Sequence, residues 1–237
     1  MYPQQAIDFA YDSAHTFDAF WAGDNAVLLE LLRKFAAGEG EDRQIFLSGI
    51  SGAGKTHLLS AACAQATTLG ARIAYLPADV VVDATAVDGL ATFDLVCIDD
   101  LHRLPATRSS ELALFTLINA LREYQGRLLL AADRPAASLP TELPDLTTRL
   151  RWGAQFDVSP VAAEQLASVL GMRAEHMGLE LGDDVLEFLL NRCPRRLSSL
   201  IETLRYIDQA SLQAKRRITV PFVREALQDS VFQVPEN

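Results

Sequence analysis

Short apolar runs alternate with helical patterns over the first two thirds of the chain. Several of these runs are apolar at consecutive positions, which is typical of strands buried on both faces of a parallel sheet. The predicted strands are 44–49, 73–77, 95–100, 127–132 and 154–158. The intervening segments carry apolar residues at helical spacing, and two of them end before a glycine, a helix-stop signal. The predicted helices are 25–36, 55–69 and 109–125. The alternation predicts an α/β domain, a five-stranded parallel sheet with helices on both faces.

The pattern changes after Pro160, because no further strand is predicted. The helical segments there are 162–177, 183–192, 197–215 and a short helix that begins near Thr219. We therefore expect an α/β core over 16–160 and a small all-helical domain over 161–237, preceded by a short N-terminal segment, 1–15.

Composition excludes several classes of protein. No apolar run is long enough to span a bilayer, and the start of the chain lacks the features of a signal peptide. The three cysteines are far apart without a CxxC pair, and the four histidines have no metal-ligand spacing, so we expect reduced thiols, no zinc and a cytoplasmic protein. A net charge of −10 argues against direct sequence-specific DNA binding and favours a protein partner, or a complex that brings its own DNA contacts.

The segment Gly49–Thr56, GISGAGKT, fits the phosphate-loop pattern GxxxxGK[ST] and lies between a predicted strand and a predicted helix. Its glycines let backbone N–H groups turn towards phosphate oxygens, and the helix N-terminus adds its positive dipole end. Lys55 would contact the β- and γ-phosphates, and the Thr56 hydroxyl would bind Mg²⁺. The alternative is a chance match in a glycine-rich turn.

Two later strands end in acidic residues. Asp99 and Asp100 follow the apolar run of the third strand, where Asp99 would hold Mg²⁺ through water and Asp100 would polarise an attacking water. Asp133, followed by Arg134, ends the next strand, a place beside the γ-phosphate in the NTPases that insert a strand between the phosphate-loop strand and the acidic one. An exposed acidic turn is the alternative explanation for the first pair.

Together, the stretches GKTHLL, IDDL, ADRP and PDLTTRLRWG, followed by a helical lid, resemble the AAA+ ATPase domain of the DnaA family from about Thr16 to about Gln228. The resemblance implies a P-loop AAA+ core followed by a lid, and binding of ADP or ATP with Mg²⁺. The nucleotide-binding residues it implies are Gly49, Ser51, Gly52, Ala53, Gly54, Lys55, Thr56, His57 and Asp133.

Only nine residues follow Gln228, so we expect no helix-turn-helix DNA-binding domain like that of DnaA. Only about fifteen residues precede the core, so we also expect no N-terminal interaction domain. In this respect it resembles the Hda family of DnaA-homologous regulators, which act with the DNA-loaded sliding clamp to make DnaA hydrolyse its ATP. That resemblance implies a clamp-binding peptide near the N-terminus. Gln4, Ile7 and Phe9 match it as Q-x-x-I-x-F, although a chance match in a disordered terminus is the alternative.

The resemblance also implies an arginine finger at Arg149, with Arg151 as the alternative if the alignment slips by two residues. A finger supplied in trans accelerates hydrolysis by roughly 10³–10⁵ in other NTPases. The structural alternative is an arginine that pairs with Asp145 or Asp157. Where AAA+ lids place a sensor arginine, this chain has Ser198, with Arg195 and Arg196 just before it, so we expect weak ATP turnover by the chain itself.

Two other functions remain open from the sequence. A stand-alone ATPase of the helicase-loader type has the same kind of core, whereas a small-molecule P-loop kinase would insert its lid within the core. Because AAA+ contacts are head-to-tail, a homo-oligomer is also possible.

Overall fold

The computed structural model describes residues 15–229 and divides the chain into two compact units. The first unit ends at Pro160 and the second begins at Val161. None of the helices among residues 15–229 combines the length and the apolar character needed to cross a membrane. The predicted clamp-binding residues Gln4, Ile7 and Phe9 lie outside the described residues.

The first unit contains one parallel sheet of five strands. The strands are β1 (Gln44–Ser48), β2 (Ile73–Pro77), β3 (Leu95–Asp99), β4 (Arg127–Ala131) and β5 (Ala154–Asp157). Their spatial order is β2-β3-β4-β1-β5, so β4 lies between the phosphate-loop strand β1 and the acidic strand β3. We call the edge at which the strands begin the amino edge, and the edge at which they end the carboxyl edge.

Helices cover both faces of this sheet, which confirms the predicted α/β fold. The helices of the first unit are α1 (Ala26–Ala37), α2 (Lys55–Thr68), α3 (Arg108–Glu123) and α4 (Pro144–Leu150). Neighbouring strand residues enter different clusters: Phe46 packs in one cluster with Leu114 of α3, while Ile45 packs in the other with Leu32 of α1. This alternation explains why β1 is apolar at consecutive positions.

The second unit is entirely helical within the described residues. Its helices are α5 (Leu166–His176), α6 (Asp183–Arg192), α7 (Leu197–Ala214) and α8 (Val220–Asp229). Leu170, Leu189, Leu204 and Val223, one from each helix, are fully buried in a shared core. The amphipathic stripes of these helices therefore converge on a core of their own.

The structure differs from the predictions mainly in short elements. Four of the five strands end one residue earlier than predicted, and α5 begins at Leu166, after a 3₁₀ turn at Ala163–Gln165. Helix α4 was not predicted, because seven residues are too few to show a helical period. The other 3₁₀ turns, also not predicted, are Gly23–Asn25, Ala78–Val80, Ala84–Val87, Leu90–Thr92, Leu101–Arg103 and Ala136–Ser138.

Candidate functional site

The phosphate loop leaves β1 at the carboxyl edge and leads into α2. Gly49, Gly52 and Gly54 have φ angles of 148°, 84° and 99°, a region that side-chain-bearing residues avoid. There is also no room for a side chain at two of these positions. A Cβ on Gly49 would lie 2.8 Å from the Val158 carbonyl oxygen, and one on Gly54 would lie 2.7 Å from the Phe20 ring. Conformation and space thus both favour glycine at positions 49 and 54, whereas conformation alone favours it at Gly52.

Lys55, the first residue of α2, is buried inside the phosphate loop. Its Nζ donates to the carbonyl oxygens of Gly49 at 2.6 Å and of Ile50 at 3.0 Å. Burial lowers the pKa of Lys55 below its ordinary value of 10.5, while nearby aspartates, Asp99 foremost, oppose the shift. The ammonium group therefore lies where phosphate oxygens would replace the loop carbonyls as hydrogen-bond acceptors.

Thr56 and Asp99 come together although 43 residues separate them in the sequence. The Thr56 hydroxyl donates to Asp99 Oδ2 at 2.7 Å, and the Tyr75 hydroxyl donates to the same oxygen at 2.8 Å. Burial, followed by the charge of Asp99, raises the pKa of Tyr75 well above its usual range, so Tyr75 stays a neutral donor. Tyr75 was not among the predicted site residues. Its partner lies on the neighbouring strand β3, a contact that only the sheet creates.

The Thr56 hydroxyl and the Asp99 carboxylate fit Mg²⁺ as ligands. This ion takes one or two protein ligands and completes its shell with phosphate oxygens and water. When bound, Mg²⁺ would neutralise charge on the phosphates, with Thr56 and Asp99 holding it. Within residues 15–229, no group of three or more His, Cys, Asp or Glu side chains is arranged to bind a metal ion. Phosphate oxygens of a bound nucleotide would supply further ligands to the ion.

Asp100 lies next to this pair, at the turn that ends β3. Its backbone is left-handed, with φ 51° and ψ 45°, a conformation that Asp tolerates better than most residues. Arg103 Nη1 lies 3.8 Å from Asp100 Oδ2, and Arg103 Nη2 lies 3.3 Å from Asp79 Oδ2. The candidate water-polarising carboxylate thus has a basic neighbour in this state of the chain.

Asp133 lies just beyond β4, the strand inserted between β1 and β3. Arg134 donates to both of its carboxylate oxygens, at 2.7 and 2.9 Å, and this hydrogen bonding lowers the pKa of Asp133. The Asp133 backbone N–H donates to His102 Nδ1 at 3.3 Å. The structure therefore brings Asp133 to the carboxyl edge, as an ionised carboxylate held by a neighbouring arginine.

The segment before α1 packs against the phosphate loop. His57 Nε2 lies 2.7 Å from the Thr16 carbonyl oxygen, and the ring of His57 lies 4.5 Å from that of His15 and 5.4 Å from that of Phe20. The buried His57 thus contacts this segment. Further along, Asn25 exchanges two hydrogen bonds with the backbone of Ser159, each 2.9 Å long.

Arg149 lies at the end of α4, away from the phosphate loop. Its Nε donates to Asn119 Oδ1 at 2.8 Å, and its guanidinium carbon lies 3.9 Å from the centre of the Trp152 ring and 5.4 Å from that of Phe115. Within the described residues no ion pair joins Arg149 to Asp145 or Asp157, the partners of the structural alternative. Arg151, which follows α4 directly, is exposed.

Gln44 shows where Arg149 lies relative to the sheet. Gln44 is the first residue of β1, and its Nε2 donates to the carbonyl oxygens of Arg149 and Trp152, both at 2.9 Å. Arg149 is therefore at the amino edge, whereas the phosphate loop begins at the carboxyl edge. The strand rises about 3.3 Å per residue, so the five steps from Gln44 to Gly49, the first residue of the phosphate loop, span about 16 Å.

The candidate sensor residues belong to the second unit. Arg196 directly precedes α7 and makes no side-chain capping hydrogen bond, and Ser198 is the second residue of that helix. Arg195 Nε donates to the Leu190 carbonyl oxygen at 3.4 Å. All three side chains are exposed.

Comparison with protein families agrees with this geometry. Residues 11–157, more than half of the chain, match the family model described as the bacterial DnaA ATPase domain. The chain belongs to the bacterial DnaA ATPase-domain family. Residues 163–227 match a second model, described as the lid domain of Hda. The family assignment confirms the predicted AAA+ core, and the second match confirms the predicted Hda-like lid.

Solved structures show that the DnaA-type fold extends over nearly the whole chain. Domain III of Thermotoga maritima DnaA is 20% identical, with a TM-score of 0.79 over 94% of this chain and 99% of that one. Aquifex aeolicus DnaA bound to AMPPCP is 23% identical, with a TM-score of 0.69 over 86% of this chain and 69% of that one. The Thermotoga maritima RuvB branch migration motor is 20% identical, with a TM-score of 0.67 over 92% and 73%.

Proposed function

We propose that this chain is a nucleotide-binding AAA+ regulator that acts with the DNA-loaded sliding clamp. In this proposal it stimulates ATP hydrolysis by the replication initiator DnaA and so limits re-initiation of DNA replication. The Hda-type lid and the DnaA-type core support the choice of partner, since AAA+ modules of one family associate head-to-tail. The same geometry would allow a head-to-tail homo-oligomer.

The position of Arg149 is the observation that carries the proposal. About 16 Å of strand separates the amino edge, where Arg149 lies, from the chain's own phosphate loop. This is farther than an arginine side chain reaches, so Arg149 does not serve the chain's own nucleotide. A guanidinium is always charged and binds phosphate oxygens as a fork, which suits it to the nucleotide of a second chain.

The chain's own nucleotide has a different role in this proposal. ADP or ATP would be held by the backbone of the glycine-rich loop and by Lys55, with Mg²⁺ between Thr56 and Asp99. We propose that this nucleotide is mainly structural and that its turnover is slow. Asp100 has Arg103 beside it, and Ser198 stands where a sensor arginine is usual in the lid.

The experiment measures ATP hydrolysis by DnaA with and without the chain, and with the clamp free or loaded on DNA. The controls are Arg149→Ala and a double variant, Gln4→Ala with Phe9→Ala. We expect stimulation that requires the loaded clamp, that disappears with Arg149→Ala, and that is lost in the double variant until clamp and chain are greatly increased in concentration. An unchanged rate of hydrolysis by DnaA would refute the proposal.

The pairing of Thr56 with Asp99 favours a second candidate, a stand-alone ATPase of the helicase-loader type. These two residues, together with Lys55 and Asp100, are the parts that an NTPase needs for its own hydrolysis. This function would show as rapid, DNA-stimulated hydrolysis by the chain alone. Asp100→Asn would then abolish the activity, whereas Arg149→Ala would leave a monomeric enzyme active.

A further inference from the structure

We infer that Asn119 and Trp152 are positioning residues, which hold Arg149 by its Nε atom and its flat face and leave its terminal nitrogens available for a phosphate on a second chain. The inference rests on the proposed function, because it concerns how the finger is held before the partner arrives. Neither residue would touch the partner's phosphate. Each acts through Arg149.

The contacts of Arg149 hold its Nε atom and its flat face, whereas its two terminal nitrogens are available for a ligand. The Nε atom donates to Asn119 Oδ1 at 2.8 Å, and the flat face of the group lies 3.9 Å from the centre of the Trp152 ring. Within residues 15–229, no hydrogen bond or ion pair uses the terminal nitrogens Nη1 and Nη2. These two nitrogens form the fork that binds two phosphate oxygens at once.

Asn119 and Trp152 suit this task chemically. The Asn119 amide oxygen accepts a hydrogen bond without neutralising the guanidinium, whereas an aspartate there would cancel part of the charge that phosphate must attract. The indole of Trp152 attracts a cation through its π face, which also leaves the charge intact. Both contacts hold the Arg149 side chain in place and leave its positive charge available for phosphate.

The backbone that carries Arg149 is fixed at both ends of α4. Just before the helix, the buried Glu111 carboxylate accepts hydrogen bonds from the backbone N–H groups of Glu142 at 2.9 Å and Leu143 at 2.8 Å. At its end, Gln44 donates to the carbonyl oxygens of Arg149 and Trp152. Side chain and backbone are thus both held before a partner binds, which avoids the entropy cost of ordering an arginine during association.

Arg122 provides a matched control. Its guanidinium carbon lies 4.2 Å from the centre of the same Trp152 ring, so replacing Trp152 also changes the surroundings of Arg122. Arg122→Ala removes this second cation while Arg149, Asn119 and Trp152 keep their mutual contacts. It therefore separates loss of the finger's support from a general change in charge at the amino edge.

The test titrates each full-length variant against ATP-bound DnaA with DNA-loaded clamp, and it records the maximum hydrolysis rate and the half-saturating concentration. The variants are Asn119→Leu, Trp152→Leu, Trp152→Phe, Arg122→Ala and Arg149→Ala. A cation–π contact changes a rate by about two- to thirty-fold when converted at tenfold per 1.4 kcal/mol. We expect Trp152→Leu to lower the maximum rate within this range, and Asn119→Leu, which removes a hydrogen bond to a charged group, to lower it about tenfold or more. Half-saturation should change less than about twofold in both variants.

The aromatic Trp152→Phe should recover most of the loss, and Arg122→Ala should stay near wild type. The inference can be judged once wild type stimulates hydrolysis by DnaA and Arg149→Ala does not. It is then overturned if Asn119→Leu and Trp152→Leu keep the full maximum rate or change only the half-saturating concentration. If Trp152→Leu does not fold, Asn119→Leu alone tests the inference, because Asn119 is only half-buried. Failure of the proposed function is a separate result, because then wild type itself gives no stimulation.

Discussion

Gln44 links the phosphate-loop strand to Arg149, the proposed arginine finger, and its replacement by methionine tests the packing between them. The Gln44 side chain is buried, and its Nε2 donates to the carbonyl oxygens of Arg149 at 2.9 Å, Trp152 at 2.9 Å and Leu150 at 3.3 Å. Methionine has the same length and no donor. The substitution thus removes the hydrogen bonds while keeping most of the volume.

The expected loss follows from the two shorter hydrogen bonds. Each contributes about 1 kcal/mol net, so Gln44→Met should lower the free energy of unfolding by about 2 kcal/mol. For a unit of this size, that corresponds to about 4–8 °C in the midpoint of thermal unfolding. Gln44→Glu should be more destabilising, since it places a carboxylate against three carbonyl oxygens.

The assay is thermal and urea unfolding, with Gln155→Met as the control. Gln155 is exposed and donates to the Leu150 and Trp152 carbonyl oxygens at the longer distances of 3.3 and 3.4 Å, so its loss should cost less than about 0.5 kcal/mol. If Gln44→Met and Gln155→Met are equally stable, or Gln44→Glu is no worse than Gln44→Met, the described role of Gln44 is wrong.

Three further predictions concern the nucleotide site and the core. Thr56→Val should abolish the Mg²⁺-dependent part of ADP binding and spare the Mg²⁺-independent part, because it removes the hydroxyl that meets Asp99; calorimetry with Mg²⁺ and with chelator checks this. Burial lowers the pKa of Lys55, so ADP affinity should begin to fall with rising pH below 10.5, and Lys55→Arg should remove this dependence. The effect of pH on folding stability has the opposite sign. Lys55 has a higher pKa in the unfolded chain than in the folded chain, so burying its charge destabilises the fold at low pH. This destabilisation decreases as the pH rises from the lowered pKa towards 10.5. Cys63 and Cys97 are fully buried, and burial raises the pKa of Cys97, so a thiol reagent should label the half-buried Cys193 first; mass spectrometry showing early labelling of Cys97 would contradict the packing.

Local patterns predicted most of the fold. The three central strands, β1, β3 and β4, are buried at every position because both faces of the sheet are covered, and their consecutive apolar residues were a clear signal. The edge strand β5, with the sequence AQFD, alternates half-buried and exposed positions and was predicted without that signal. Helix α4 was missed because it is short, although Pro144 at its first position and Asp145 in its first turn are helix-start signals that were available.

Part of the candidate site was likewise predictable from the sequence, and part was not. Lys55, Thr56 and Asp99 belong to contiguous motifs, and the structure brings the three to one place at the carboxyl edge. The residues that support Arg149 carry no such motif. Asn119 contacts it across 30 residues and Gln44 across 105, so only the packing of α3 against α4 and the pairing of β1 with β5 reveal them.

A single-turnover experiment with reciprocal variants tests the central claim, that Arg149 acts on the nucleotide of another chain. DnaA carries labelled ATP, and the chain, with DNA-loaded clamp, is either Asp100→Asn, which disables its own hydrolysis, or Arg149→Ala, which removes the finger. We predict that Asp100→Asn accelerates release of labelled phosphate as wild type does, and that Arg149→Ala does not. Acceleration by Arg149→Ala, or its loss with Asp100→Asn, would contradict the account.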